Sequence, residues 1–160
     1  MARSAAVQLR SAWQFCQRVP GGRWLFSRLF GWLVPYTGTV GLRVDELRPG
    51  YARLSMKDRR AVRNHLRSIH AIALANLAEA TSGLAMNIAL PAHGRAIVTR
   101  VTMEYRKKAR GRLVATCEAG VPDCSVDREV MVVSEVRDAQ DEVVAVATVT
   151  WRVGPQGAAA

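Results

Sequence analysis

The spacing of apolar residues changes along this chain, and each change marks a new element. Over residues 3–34 the spacing is helical. Leu9, Trp13 and Cys16 or Gln17 share one face of a first segment; Leu25, Leu29, Trp32 and Leu33 share one face of a second. Pro20-Gly21-Gly22 breaks the run and Pro35 ends it. The pattern predicts a two-helix arm over residues 1–35 that docks its aromatic stripe on the core. From Val40 the period falls to two. Val40, Leu42 and Val44 alternate, then Ala52, Leu54 and Met56, with Pro49-Gly50 as the turn between two strands. Ser68 to Leu90 is poor in turn formers and rich in Ala, Leu, Ile and Met. It predicts a helix with Ser68 as N-cap, apolar nearly all round and so buried on most sides. After Pro91 and Gly94 the period returns to two. Ile97 to Tyr105, Leu113 to Cys117, Val130 to Arg137 and Val143 to Val153 read as four strands. Arg106 to Arg112 reads as a basic hairpin between the first two, and Asp138 to Glu142 as the turn between the last two.

The order is arm, two strands, long buried helix, four strands. Its two-layer solution is an α+β domain over residues 36–154, with one antiparallel sheet wrapped around one central helix. Residues 155–160 are then a disordered tail. An open sheet leaves edge strands unpaired, and pairing them with a second copy removes the exposure. The expectation is a homo-oligomer, dimer or tetramer.

Composition adds a charge to this picture. The 160 residues include 49% apolar positions, enough for one domain with a core. Lys and Arg number 23 against 13 Asp and Glu, a net charge of +10. Such a surface attracts nucleic acid, anionic lipid or a phosphate-bearing small molecule. Nucleic acid is the least favoured of these, because Tyr105 is the lone aromatic beside the basic hairpin and stacking needs more. The Trp, Phe and Arg of the arm also fit a helix lying on a membrane surface, a reading ranked below docking on the core. No apolar run reaches the about 20 residues of a membrane span, and no export-signal pattern appears, so a cytoplasmic location is expected. Cys16, Cys117 and Cys124 are odd in number and lack nearby His partners, which suggests free thiols rather than a disulfide framework or a metal site. No cofactor motif is present: there is no Gly-rich phosphate loop and no Gly-x-Ser-x-Gly turn.

Between Ala71 and Gly94 one residue is charged, Glu79, in the most apolar part of the chain. A carboxylate there has a partner, a cavity or a raised pKa. Periodicity alone does not choose between a functional group and a solvated spot or ion pair. Asn64, His65 and His70 gather just before the helix. A helix N-terminus offers unpaired N–H groups and a positive dipole end, which can hold an oxyanion. At 1.5 Å per residue, Glu79 lies about 12 Å along the axis from Ala71. If the two belong to one site, a second subunit must bring its Glu79 across. His70 reads as either a cap partner or a substrate contact; His65 and His93 read as exposed loop residues.

Asn64, His70-Ala71-Ile72, Leu77-Ala78-Glu79 and Gly83 together resemble the signature of hot-dog thioesterases such as those of phenylacetate degradation. That signature is Asn, a glycine three residues on, His-Gly-Gly, then Leu-Ala-Asp and a later glycine. The resemblance implies the hot-dog fold over roughly Pro35 to Val153 and hydrolysis of an acyl-CoA thioester. It assigns the catalytic carboxylate to Glu79, oxyanion N–H groups to Ala71 or Ile72, and substrate or water placement to Asn64. It also places the basic segment, with Lys107, Lys108 and Arg110, near the coenzyme A phosphates. Arg67 stands where the family has its first glycine, Ala71-Ile72 replaces Gly-Gly, and Glu replaces Asp. The whole chain is similar to an uncharacterised bacterial branch of this superfamily, in which stretches like Arg63-Asn64-His65 and Tyr105 to Gly111 recur.

Two rivals stay beside this reading. A non-catalytic acyl-CoA or lipid-binding protein would use the same slot and would explain the lost glycines. A hydratase of the same fold would want an acidic residue before Asn64, where the chain has Arg59, Arg60 and Arg63.

Overall fold

The computed structural model describes residues 5–157. Three helices open the chain: α1 (Ala5–Gln17), α2 (Gly22–Leu33) and the short α3 (Pro35–Val40). Strands β1 (Arg43–Arg48) and β2 (Tyr51–Met56) form the first hairpin, with Gly50 at φ 77° in its turn. A 3-10 turn (Arg60–Val62) leads to the long helix α4 (Ala71–Ala89). Strands β3 (Gly94–Tyr105), β4 (Leu113–Glu118), β5 (Arg128–Arg137) and β6 (Val143–Pro155) complete the fold. All six strands form one antiparallel sheet in the order β1-β2-β4-β5-β6-β3, and α4 contacts every strand. The expected sheet around one helix is what forms.

The core is the contact between α4 and the inner sheet face. Leu77, Ala78, Ala85 and Met86 of α4 meet Leu54, Leu113, Val136, Val144 and Val149 of the strands, all with essentially no exposure. Alanine-rich turns let the helix sit close to the sheet, and β-branched residues fill the pleated surface. Three cysteines are buried free thiols, and burial pushes the Cys117 thiol up to about 12.

Several details depart from the pattern-based expectation. The basic segment 106–112 is not a hairpin: β3 pairs with β6 alone, at the sheet edge, and β4 lies beyond β5 and β6. The segment therefore crosses the end of the sheet, near the start of α4. Ser68 is not the N-cap of α4. Its hydroxyl donates to the Ala109 carbonyl at 3.0 Å, and His70 is the cap instead. Pro35 does not end the arm but opens α3, where its missing N–H costs nothing. Pro155 belongs to β6 and Gln156 and Gly157 to a turn, the Gln156 N–H donating to the His93 carbonyl; the rest of the expected tail lies outside the described residues.

The arm docks by half. In α1, Ala6, Trp13 and Cys16 are buried and Leu9 packs on the core. Trp13 donates its indole N–H to the Leu47 carbonyl at 2.9 Å and meets Phe26 edge-on at 5.0 Å. In α2 the buried residues are Gly22, Phe26 and Ser27. The Ser27 hydroxyl accepts from the Val44 N–H at 2.9 Å. The stripe Leu25, Leu29, Trp32 and Leu33, expected to dock, faces outward. Gly22 has no room for a side chain, because a Cβ there would lie 1.7 Å from the Cys16 carbonyl oxygen. That close approach, with Phe26 on Trp13 and Ser27 on the Val44 N–H, holds the inward side of α2.

Candidate active site

Two loops are stitched together at the N-terminal end of α4. Asp58 is the clasp. One carboxylate oxygen accepts from Arg63 at 2.6 Å and the other from the Gly111 N–H at 2.9 Å. The Arg63 guanidinium holds the Asp58 carboxyl below the usual carboxylate range, with the Gly111 N–H and the Arg110 charge adding to it. Ala109, almost fully buried, inserts between the loops, and its carbonyl accepts from the Ile69 N–H at 2.9 Å as well as from Ser68. The basic segment is thus fixed against residues 68–70 even though its charged side chains face solvent.

Asn64 organises the same corner. Its side-chain oxygen accepts from the N–H groups of Leu66 (2.9 Å) and Ser68 (3.2 Å). This is a local turn of the kind short amide side chains favour. Arg67 within it has φ 54°, the left-handed region. A glycine would adopt this conformation without strain, and here a non-glycine residue bears the steric cost.

His70 caps α4. Its Nδ1 accepts from the Ile72 N–H at 3.1 Å, and its carbonyl accepts from Ala73 and Leu74. The Ala71 N–H makes no hydrogen bond among the described residues, whereas the Ala71 carbonyl accepts from the Tyr105 hydroxyl at 3.1 Å. Burial raises the Tyr105 pKa. A cleft of about 370 Å³ opens here, lined by Tyr36 and Val40 of α3, Val62 of the 3-10 turn and Arg63 after it, and His70 and Ile72 at the start of α4. Its walls are largely apolar, and the Ile72 side chain, 53% exposed, stands at its edge.

Glu79 lies eight residues along α4, about 12 Å at 1.5 Å per residue. The sides of α4 are not equivalent. Ala75, Glu79, Gly83 and Asn87, four residues apart each time, are half-buried while their neighbours are buried. This stripe is the one face of the helix body that the fold leaves partly open. Its sole charge is Glu79, whose carboxylate has no hydrogen-bond or ion-pair partner among the described residues. Burial raises its pKa. Gly83 lies one turn on. A Cβ there would meet the Trp151 ring at 3.3 Å and the Glu79 carboxylate at 3.9 Å. Trp151, with its buried indole N–H unbonded, therefore forms the floor beside Glu79.

The fold thus gathers Asn64, His70, Ala71, Ile72 and the 106–112 segment at one end of α4, and leaves Glu79 on the stripe beyond. Lys107 is bound by Asp138 at 2.7 Å and by Glu142, which raises its pKa. Lys108 and Arg110 are exposed. His65 and His93 are exposed as expected. The sequence pattern gave no place at the site to Tyr105, Ala109, Asp58 or Trp151. Tyr105 and Trp151 look like ordinary strand aromatics, and only the crossover of the basic segment brings Ala109 and Asp58 to the site. A larger open groove of about 630 Å³, among Arg23, Arg43, Arg53, Arg112 and Asp45, includes no residue of α4. Asp45 already pairs with Arg43 and Arg112 there, at 3.2 Å each. Among the described residues no three His, Cys, Asp or Glu converge as metal ligands.

A six-stranded antiparallel sheet around one long helix is the hot-dog fold of thioesterase-type proteins. The chain belongs to the family described as "Domain of unknown function (DUF4442)", whose model matches residues 22–153. It superposes on the structural-genomics protein APC5556 with TM-score 0.77 and 29% identity, covering 95% of this chain and 99% of that one. It is similar to PA5026 of Pseudomonas aeruginosa, described as "Probable Thioesterase", with TM-score 0.73, 25% identity and 86% and 97% of the two chains covered. A thioesterase family protein of Silicibacter pomeroyi shares the fold at TM-score 0.69 and 19% identity, over 81% of this chain and 96% of that one. No protein of curated function matches the sequence.

Proposed function

We propose that this chain hydrolyses an acyl thioester, with acyl-CoA as substrate, at a site shared by two copies. The observation that carries the reading is Glu79: a carboxylate without a partner, its pKa raised by burial, at the centre of the one open stripe of the core helix. The family likeness to thioesterase-type proteins points the same way.

The chemistry follows from the groups present. Ionised Glu79 takes a proton from a water molecule, and the hydroxide adds to the thioester carbonyl carbon. The Ala71 N–H at the positive end of the partner's α4 holds the oxyanion. Collapse breaks the C–S bond, and the proton on Glu79 passes to the departing thiolate, giving carboxylic acid and thiol. His70 spends its Nδ1 on the Ile72 N–H and fixes the first turn; Asn64 fixes the loop before it. Both act as positioning residues in this scheme. Lys108 and Arg110 take the coenzyme A phosphates, with Lys107 holding their segment through Asp138.

Two copies are joined along β3 in this reading. That strand has 12 residues, pairs on one side alone, and shows Ile97, Val98, Val101 and Tyr105 to solvent. A long apolar edge strand is a template for a second chain. The alternative, binding without turnover, is favoured by one observation: His70 takes up the Ile72 N–H and the Asn64 side chain is spent on its own loop, leaving the Ala71 N–H as the single free oxyanion donor.

Thiol release from short, long and aromatic acyl-CoAs tests the proposal, with wild type and Glu79→Gln compared against blanks for the three cysteines. The expected result is a loss in kcat of about 10²–10⁴-fold in the variant, with its oligomer intact. Turnover that survives the substitution removes Glu79 from the role of base. Saturable acyl-CoA binding without turnover establishes the alternative.

A further inference from the structure

Helix α2 presents a surface that the rest of the fold does not use. Trp24, Leu25, Leu29, Trp32 and Leu33 are all exposed, and the apolar strip continues into Tyr36 of α3. Two of the four tryptophans of the chain stand in it. Exposing so much apolar area in one strip marks a contact with something else. Arg28 sits one helical turn from Trp24 and one from Trp32, on the same side, and Arg18 and Arg23 are exposed nearby. No Asp or Glu precedes Asp45.

The charge says what the partner is. A second copy apposed face to face would bring these arginines against themselves, with no acid on the arm to offset them. An anionic lipid surface offers what both groups lack: apolar depth for the leucines, an interface for the tryptophans and tyrosine, and phosphates for arginines whose stems lie along the apolar strip. We infer that α2 and α3 form an interfacial docking element that holds this protein on anionic membranes. The helix lies in the plane of the surface, because at 12 residues it is too short to span it. No described helix is long and apolar enough to cross a membrane.

The fold is built to hold such an element firmly. The inward side of α2 is locked by Phe26 against Trp13 and by Ser27 to the Val44 N–H. Gly31 and Gly38 allow α3 to fold back on α2, since a Cβ on Gly38 would lie 2.2 Å from the Gly31 carbonyl oxygen. Tyr36 belongs both to the strip and to the cleft at the start of α4. Docking would therefore bring the mouth of that cleft to the lipid surface, where amphiphilic acyl compounds partition. The docking itself does not depend on the chemistry at Glu79.

Co-sedimentation of the full chain with phosphatidylcholine vesicles, with and without phosphatidylglycerol, tests this. The expected result is binding to the anionic vesicles, weakened by salt, with a blue shift of tryptophan emission. The pair Trp32→Ser with Leu33→Ser weakens that binding by about tenfold or more while unfolding is unchanged. Arg28→Glu weakens it less and reduces its salt dependence. Absence of binding to anionic vesicles overturns the inference. So does binding that Trp32→Ser with Leu33→Ser leaves intact, which would assign it to the general positive charge. Self-association of the wild type that these substitutions abolish, without vesicle binding, would give the strip to a second copy and also overturn it.

Discussion

Trp13 and Trp32 lie in successive helices of one arm, each in an amphipathic, arginine-flanked pattern, yet Trp13 is 2% exposed and Trp32 is 77% exposed. The difference is not in the tryptophans or in their helices. Trp13 meets Phe26, a carbonyl of β1 and the core, whereas α2 spends Gly22, Phe26 and Ser27 on its inward contacts and the side that carries Trp32 faces away. An apolar stripe predicts that a helix buries something; it does not say against what. Glu79 is the reverse case, a polar group that the fold half-buries without giving it a partner. Both exceptions to simple burial fall where function is proposed.

The sharpest way to break the comparison is to remove both rings. Trp13→Ala should destabilise the protein by about 3–5 kcal/mol, as loss of a buried aromatic does. Trp32→Ala should stay within about 0.5 kcal/mol of wild type. Urea unfolding followed by circular dichroism reads both, and equal losses would show that α2 packs its stripe after all.

Next in size is the stripe around Glu79. Gly83→Leu puts a side chain into the space shared by Trp151 and Glu79 and should cost about 1–3 kcal/mol by overpacking. Its acyl-CoA turnover should fall much further than its stability. A stable variant with full activity would move the acyl site away from this stripe.

The smallest effect tests the charge itself. Burial raises the Glu79 pKa above its unfolded value, so the native state holds the proton more tightly. Stability from this group is then fully present below the unfolded pKa and is lost as pH rises through the folded one. Glu79→Gln should raise Tm near pH 7 by about 2–4 °C, the equivalent of roughly 1 kcal/mol in a chain of this size. The gain should shrink as pH falls and vanish below the unfolded carboxyl's pKa, where the proton is bound in both states. A variant less stable than wild type near neutrality would mean that Glu79 has a stabilising partner. Higher stability together with lost turnover would mark a group kept for chemistry.

The sequence by itself determined the layers of this protein. Periods of two and of 3.6 residues, with Pro and Gly between them, set six strands, the first two helices and the core helix, though not the short α3, because each period buries one face of one kind of element. It also isolated Glu79, since a lone charge in an apolar helix is visible without coordinates. The cap of α4 escaped it: Ser68 and His70 are both reasonable caps, and the choice fell to Ala109, which claims the Ser68 hydroxyl from 41 residues away. The crossing of 106–112 escaped it too, because strand order is a matter of long-range pairing and local turn chemistry reads the same for a hairpin or a crossover. Which face of α2 meets the core was decided by contacts with distant residues, at Gly22, Phe26 and Ser27. Local patterns are written in neighbouring residues; the open stripe, the capped helix end and the exposed strip arise where distant segments compete for the same surface.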